Sequence, residues 1–353
     1  MLATKLESYL DQASADQKMG SSKVITLPRS NQKIKSSTKT SAFGVSKREG
    51  HDATAFYSRF QHPVISDDIT INPSPIIDQV ICGNAKKMSK LADNSVALVI
   101  TSPPYFVGKE YEDTAIQKKA PKNYLAYLNM LQQVFTECYR VLEPGGRIAI
   151  NVANLGRKPY RSLSADVIRI LQDEIGFLLR GEIIWQKAQG ASGNCAWGSF
   201  ALATNPVLRD LSERIIIASK GRFDRAIPTK KRKELGLPFE STITKEDFMS
   251  FTLDVWNMPP ESARRVGHPA PYPVELPRRL IELYTFRDDI VLDPFLGSGT
   301  TAVAAIRTNR HYIGYDLDDE YCKSAERRIA AEKQATTTKS QIKTSIKKQI
   351  VVT

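Results

Sequence analysis

"IVLDPFLGSGTTAVAAIRTNRHYIGYDLDDEY", residues 290–321, decides how the chain is organised. It sets a short apolar run, a glycine-rich turn, a helix-like stretch and a second apolar run in succession, and the second run ends on an acid. Gly297 and Gly299 let the backbone turn tightly and approach a ligand, while Thr300 and Thr301 open a helix whose free N–H groups face the same space. Asp316 follows about twenty residues later at the tip of the next strand, where a carboxylate accepts hydrogen bonds from ribose hydroxyls. A nucleoside is therefore the implied ligand. No lysine follows the glycines, so the turn is not a P-loop, and a single GxG is not the GxGxxG fingerprint.

Outward from this stretch, strand-like and helix-like segments alternate. Strands are expected at 79–82, 96–100, 147–152, 181–186, 214–218, 290–292 and 312–315. Between them, Tyr124, Leu125, Leu128, Leu131, Phe135, Cys138 and Leu142 recur at helical spacing, as do Val167, Ile170 and Leu171. This pattern predicts an α/β fold: a mostly parallel, twisted sheet with helices on both faces. "EPGG" at 143–146 ends one helix and turns the chain toward the next strand. "VITSPPYF" at 99–106 closes the second strand with two prolines that cannot donate to a ladder, so something rigid is held at that strand's tip. Pro-Pro is also common loop punctuation. In open α/β sheets ligands bind outside the carboxyl ends of the strands, so this tip and the glycine turn share one edge.

Composition narrows the class. With 41% hydrophobic and 25% charged residues, the 353-residue chain falls in the soluble range and has enough apolar residues for a sizeable core. No apolar run approaches the roughly 20 residues of a membrane helix, so a cytoplasmic, non-membrane protein is expected. The cysteines Cys82, Cys138, Cys195 and Cys322 form no CxxC pair, which signals neither a disulfide framework nor a metal site; they are expected as core fillers. A net charge of +12 favours a polyanionic partner. Residues 1–75 are expected as a polar mobile extension and 333–353 as a flexible basic tail. The basic, Gly- and Pro-punctuated segment 221–266 is expected as a smaller insert between 76–220 and 267–332.

"TSPPY" followed far downstream by "DPFLGSGTT" resembles the S-adenosylmethionine-dependent DNA amino-methyltransferases of bacterial restriction–modification systems. The likeness is to the permuted class, whose catalytic motif precedes its cofactor motif. It covers about residues 78–330 and includes "EPGGRIAINVANL", "NPVLRDLSERIIIASKG" and "GHPAPYPVELPRRLIELYT". It implies a Rossmann-like methyltransferase fold with S-adenosyl-L-methionine as cofactor, no metal, and double-stranded DNA as partner. It also implies a nucleoid-associated location, a monomer or homodimer, and a separately acting cognate restriction endonuclease as a further partner. By matching position, Ser102, Pro103, Pro104 and Tyr105 correspond to the catalytic tetrad. Thr101, Asp293, Phe295, Gly297, Ser298, Gly299 and Thr300 correspond to the cofactor loop and its surroundings, and Asp316 to the ribose acid. The family usually carries Gly-Asp where this chain has Gly83-Asn84, the position facing the adenine; Asn84 keeps a carbonyl acceptor without the charge. His268 and Pro269 match the start of the motif that closes over the methionine end.

These residue types suit the chemistry. An exocyclic amine on a base is planar, its lone pair delocalised into the ring, and it is a poor nucleophile. The Ser102 hydroxyl and the Pro103 carbonyl are fixed acceptors for its two N–H groups, which would draw the nitrogen toward tetrahedral geometry. The base must leave the duplex to reach them, with Tyr105 available to stack on it. Ser-Pro-Pro-Tyr leans toward cytosine-N4 within the family, with adenine-N6 the alternative. Target recognition is expected from Arg222, Arg225, Lys230, Lys231, Arg232 and Lys233. The rivals are an RNA or small-molecule methyltransferase and an inactive DNA-binding module that kept the fold.

Overall fold

The computed structural model describes residues 64–104, 121, 123–154, 159–187, 198–208, 210–261 and 272–350. Each of the seven expected strands is present, several of them longer than the spacing suggests: β1 (Gln79–Cys82), β2 (Val96–Thr101), β3 (Leu142–Val152), β4 (Leu178–Gln186), β5 (Ser212–Ser219), β7 (Ile290–Asp293) and β8 (His311–Asp316). An eighth, β6 (Val255–Asn257), was not expected. They form one sheet in the order β1-β8-β7-β2-β3-β5-β4-β6. Only β5 runs against its neighbours; the other pairings are parallel. The architecture is the expected α/β fold with helices on both faces.

β2, "VALVIT", is buried at every position, which is the mark of a central strand covered on both sides. Its side chains alternate between two cores. Val96 and Val99 join Leu131, Phe135 and Leu171 of α1 (Tyr124–Val141) and the turn following α2 (Leu163–Arg169). Leu98 and Ile100 join Leu276 and Leu280 of α5 (Glu275–Tyr284) and Ala302 of α6 (Thr300–Arg307). Asn123 caps α1 by accepting from the Ala126 amide at 2.8 Å. The "EPGG" stretch lies inside β3 as an irregularity: Val96 pairs with Leu142, yet Leu98 pairs with Arg147.

Three expectations about boundaries need correction. Residues 66–72, expected within the mobile extension, are hydrogen-bonded to the body, with Ser66 N donating to Gly221 O at 2.7 Å and Asn72 N to Asn94 O at 3.0 Å. Residues 333–350, expected within a flexible tail, continue α7 (Asp319–Ile350), with the helix formers Lys and Gln recurring along them. The segment 221–257 is stitched into the body through α3 (Thr229–Glu234), α4 (Lys245–Phe251) and β6. Trp256 of β6 is 1% exposed within the α5 core, so burial of an aromatic pulls that part of the expected insert into the sheet. Cys82 is exposed, whereas Cys138 and Cys322 are buried as expected; Cys195 lies outside the described residues.

Candidate active site

The parallel pairing of β2 with β7 matches Leu98 to Val291 and Val99 to Leu292, which brings two motifs nearly two hundred residues apart to one edge. A hydrogen bond fastens their tips: Thr101 Oγ1 donates to Asp293 Oδ1 at 2.7 Å. Thr301 Oγ1 donates to Asp293 Oδ2 at 2.6 Å, the Tyr272 hydroxyl lies 3.0 Å from the same oxygen, and the Phe295 amide donates to Oδ1 at 3.1 Å. Asp293 has no exposed surface. Burial pushes its carboxyl above the ordinary range, and the four donors oppose that shift. Burial also pushes the Tyr272 hydroxyl well up, with the Asp293 charge adding to it.

The sequence assigns Asp293 and Thr101 to the cofactor. The structure shows instead that they hold each other, welding the catalytic strand tip to the base of the glycine turn. Ser298 and Thr300 likewise face inward, each 4% exposed. Arg328 of α7 donates to Thr300 Oγ1 at 2.8 Å and approaches Ser298 O and Oγ at 3.3 Å. Tyr272 and Arg328 had no signal in the sequence, since a lone tyrosine and a lone helical arginine look like core and surface.

Gly299 caps α6 with φ +81°, and a Cβ there would come within 3.1 Å of the Ala325 Cβ. Both the left-handed backbone and the close approach of α7 demand glycine. Gly297, φ +52°, points its amide at Asp316 Oδ2, 2.8 Å away. Asp316 also accepts from Asp318 N at 3.0 Å, and burial raises its carboxyl above the ordinary range despite these amides. Its backbone oxygen accepts from Gly83 N at 2.7 Å, which sets Gly83 and Asn84 beside the β8 tip. Asn84 is exposed, and its Oδ1 accepts from Lys86 N at 2.9 Å, so the acceptor expected to face adenine closes an Asx turn instead. Phe295 is half-buried against the α1 core. At the β2 tip Ser102 is half-buried, Pro103 buried and Pro104 exposed. Tyr105 and His268 lie outside the described residues.

The largest correction concerns the basic segment. Arg225 and Arg232 were expected on DNA; both are turned inward at the opposite edge of the sheet. Arg225 pairs with Glu143 and reaches Asp289 at 3.0 Å, and Arg232 lies 3.3 Å from each of the same two carboxylates. Their side chains are 11% and 1% exposed, and both guanidinium groups face the Phe286 ring, at 5.3 and 5.2 Å. Burial opposes the Arg225 charge, but Asp289 and Glu143 outweigh it and hold the group above its ordinary range. Asp289 precedes β7 while Asp293 ends it, so this cluster sits roughly 13 Å along the strand from the welded tips. Arg222 is half-buried against Asp68 and Asp224, while Lys230, Lys231 and Lys233 are exposed on the short α3, at the same far edge. The cause is topological. β5 runs antiparallel, so the segment that follows it emerges at the amino edge.

A DNA methylase family model matches residues 96–327, spanning both motifs and the strands between them. The chain belongs to the DNA methylase family. It is 33% identical over 304 residues to the type II methyltransferase M.MjaI of Methanocaldococcus jannaschii, covering 77% of this chain and 95% of that one. It is 32% identical over 268 residues to M.MthZI of Methanothermobacter thermautotrophicus, covering 70% and 74%. Among solved structures, a Thermus thermophilus DNA modification methylase complexed with S-adenosyl-L-methionine aligns with a TM-score of 0.54 at 31% identity, covering 72% of this chain and 93% of that one. The PvuII DNA methyltransferase, a cytosine-N4-specific protein, shares the fold with a TM-score of 0.54 at 22% identity, covering 73% of this chain and 89% of that one.

The residues at the carboxyl edge fit S-adenosylmethionine, the cofactor of this methyltransferase. Asp316, with one oxygen on Gly297 N and the other on Asp318 N, retains lone pairs for ribose hydroxyls. Among the described residues no cluster of His, Cys, Asp or Glu is arranged to hold a metal ion, and no helix is long and apolar enough to cross a membrane.

Proposed function

We propose that this protein methylates the exocyclic N4 amine of cytosine at a specific site in duplex DNA, as the modification half of a restriction–modification pair. The observation that supports it most directly is the Thr101–Asp293 hydrogen bond, which fastens the Ser102–Pro103 acceptors to the strand that carries the glycine turn. S-adenosylmethionine supplies a methyl group activated by its sulfonium. Asp316 and the 295–298 backbone orient that group, and Gly299 with Arg328 holds the turn rigid. Ser102 Oγ and Pro103 O accept hydrogen bonds from the two amine N–H groups, which localises the nitrogen lone pair along the line of transfer, and the nitrogen sheds one proton once it is methylated. The two prolines keep those acceptors from moving. Tyr105, next in the chain, stacks on the extruded base, and His268 closes the methionine end.

Ser102 at the head of the motif favours cytosine. The same two acceptors serve adenine-N6, so the test must distinguish the bases. Single-molecule sequencing of DNA from cells expressing the chain reports base and context together. N4-methylcytosine within one recurring sequence is expected; N6-methyladenine would replace cytosine with adenine, and unmodified DNA would refute the reading. Tritium transfer from labelled cofactor to duplex DNA, compared with RNA, separates the rival substrate classes.

A further inference from the structure

Arg225 and Arg232 are committed to the amino edge, so sequence readout needs charged groups beside the reactive tips. One cavity supplies them. A hollow of about 350 Å³ lies between β4, β5 and the start of α2, lined by Asn154, Tyr160, Ser162, Ser164, Glu182 and Arg214. Strand register fixes its position. Thr101 pairs with Ile150, Ile150 with Ile216, and Val152 with Arg214. Arg214 therefore stands two strands from the β2 tip, roughly 10 Å across and about 7 Å further along in the direction that β2 points.

One wall of the hollow is braced. Asn154 Nδ2 donates to Ser164 Oγ at 2.9 Å, Ser164 N donates back to Asn154 Oδ1 at 2.8 Å, and Ser162 Oγ lies 3.1 Å from Ser164 Oγ. The sheet wall is not. Arg214 pairs with Ile184 and Glu182 with Ile216, so the two charged residues are diagonal neighbours on one face, their backbones about 7–8 Å apart. Opposite charges at that spacing can reach each other, yet among the described residues neither side chain has a hydrogen bond or an ion pair. A guanidinium fork and a carboxylate that share a hollow without meeting suit a ligand offering acceptors and a donor side by side.

We infer that Arg214 and Glu182 read one G·C pair of the recognition sequence, Arg214 at guanine O6 and N7 and Glu182 at the cytosine N4 amine. This rests on the DNA-methylating reading above. The major-groove edge of a G·C pair sets two adjacent acceptors beside that one donor. An A·T pair presents no two adjacent acceptors and carries the thymine methyl in place of a polar group. The distance from the β2 tip to Arg214, roughly 12 Å in all, corresponds to a few steps of about 3.4 Å along a DNA strand, so the pair read lies within about four positions of the target base.

The test compares the sequence context of methylation by wild type, R214A and E182Q, each as the full chain, in sequenced cellular DNA and on synthetic duplexes altered one pair at a time. R214A should lose at least about 10-fold of the discrimination against A·T at one G·C position, with the rest of the context unchanged. E182Q should relax the same position by less. Neither substitution removes a partner from the fold, so thermal melting should not move. A context that stays fixed in both variants overturns the inference, whether or not the rate falls. So does a wild-type context with no G·C pair besides the target within about four positions. A salt slope of DNA binding reduced by about one in R214A, with context retained, assigns the arginine to a phosphate and also overturns it. If wild type methylates no DNA, it is the parent reading that fails.

Discussion

The two edges of the sheet both hold buried charged groups, to opposite ends. At the carboxyl edge a single carboxylate, Asp293, is surrounded by hydroxyl and amide donors, and the strand tips it joins end in Ser102 and the glycine turn. At the amino edge two arginines and two carboxylates pair with one another, with both guanidinium groups facing the Phe286 ring. Buried charge is therefore no guide to function by itself. What separates the edges is which chain ends emerge there: parallel strands deliver their C-termini, with rigid acceptors and free helix N–H groups, to only one of them.

The sharpest way to break this contrast is E143A. Removing one partner from a buried ion cluster leaves guanidinium charge uncompensated, so about 3–5 kcal/mol of folding stability should be lost in chemical denaturation. Methyl transfer per folded molecule should hold; a drop in transfer without loss of stability would give the amino edge a functional role. S102A should do the converse. Transfer should fall by about 10²–10³-fold, as for loss of a positioned hydrogen-bonding group in other active sites. Stability should stay within about 0.5 kcal/mol and cofactor binding by calorimetry should be retained.

D316N should weaken cofactor binding by about 10–100-fold, corresponding to a charged hydrogen bond worth roughly 1.5–3 kcal/mol. Because burial raises the Asp316 carboxyl, its protonated form persists to a higher pH than in an ordinary aspartate. The anion is the better acceptor for ribose, so wild-type affinity should fall on acidification at a pH above the usual carboxylate range, and the asparagine variant should lack that step. T101V removes one donor from Asp293 and should lower stability by about 1–3 kcal/mol, with a parallel loosening of transfer. The smallest effect is expected from changing Lys230, Lys231 and Lys233 together to glutamine: DNA affinity and its dependence on salt should not move. A salt slope reduced by nearly one per lysine would return those residues to the DNA.

Hydrophobic periodicity alone located seven of the eight strands. It missed β6 because three residues in a polar, proline-flanked context show no period; Trp256 becomes legible as a strand residue only once its pocket exists. The glycine turn and Asp316 were legible because local backbone geometry fixes what such residues can do. The inward turn of Asp293, Ser298 and Thr300 was not, since the same side chains suit either a ligand or a neighbour, and Tyr272 and Arg328 arrive from distant parts of the chain. Arg225 and Arg232 failed for the same reason: a basic run carries no mark that distinguishes a guanidinium seeking phosphate from one seeking Glu143.

From residue order alone follow the α/β class, the nucleoside turn and the rigid acceptors after the second strand, because each depends on neighbours within one or two turns of chain. Strand order and direction depend on which surfaces bury best against each other across hundreds of residues. That choice made β5 antiparallel, carried the basic segment to the far edge and brought Thr101 onto Asp293.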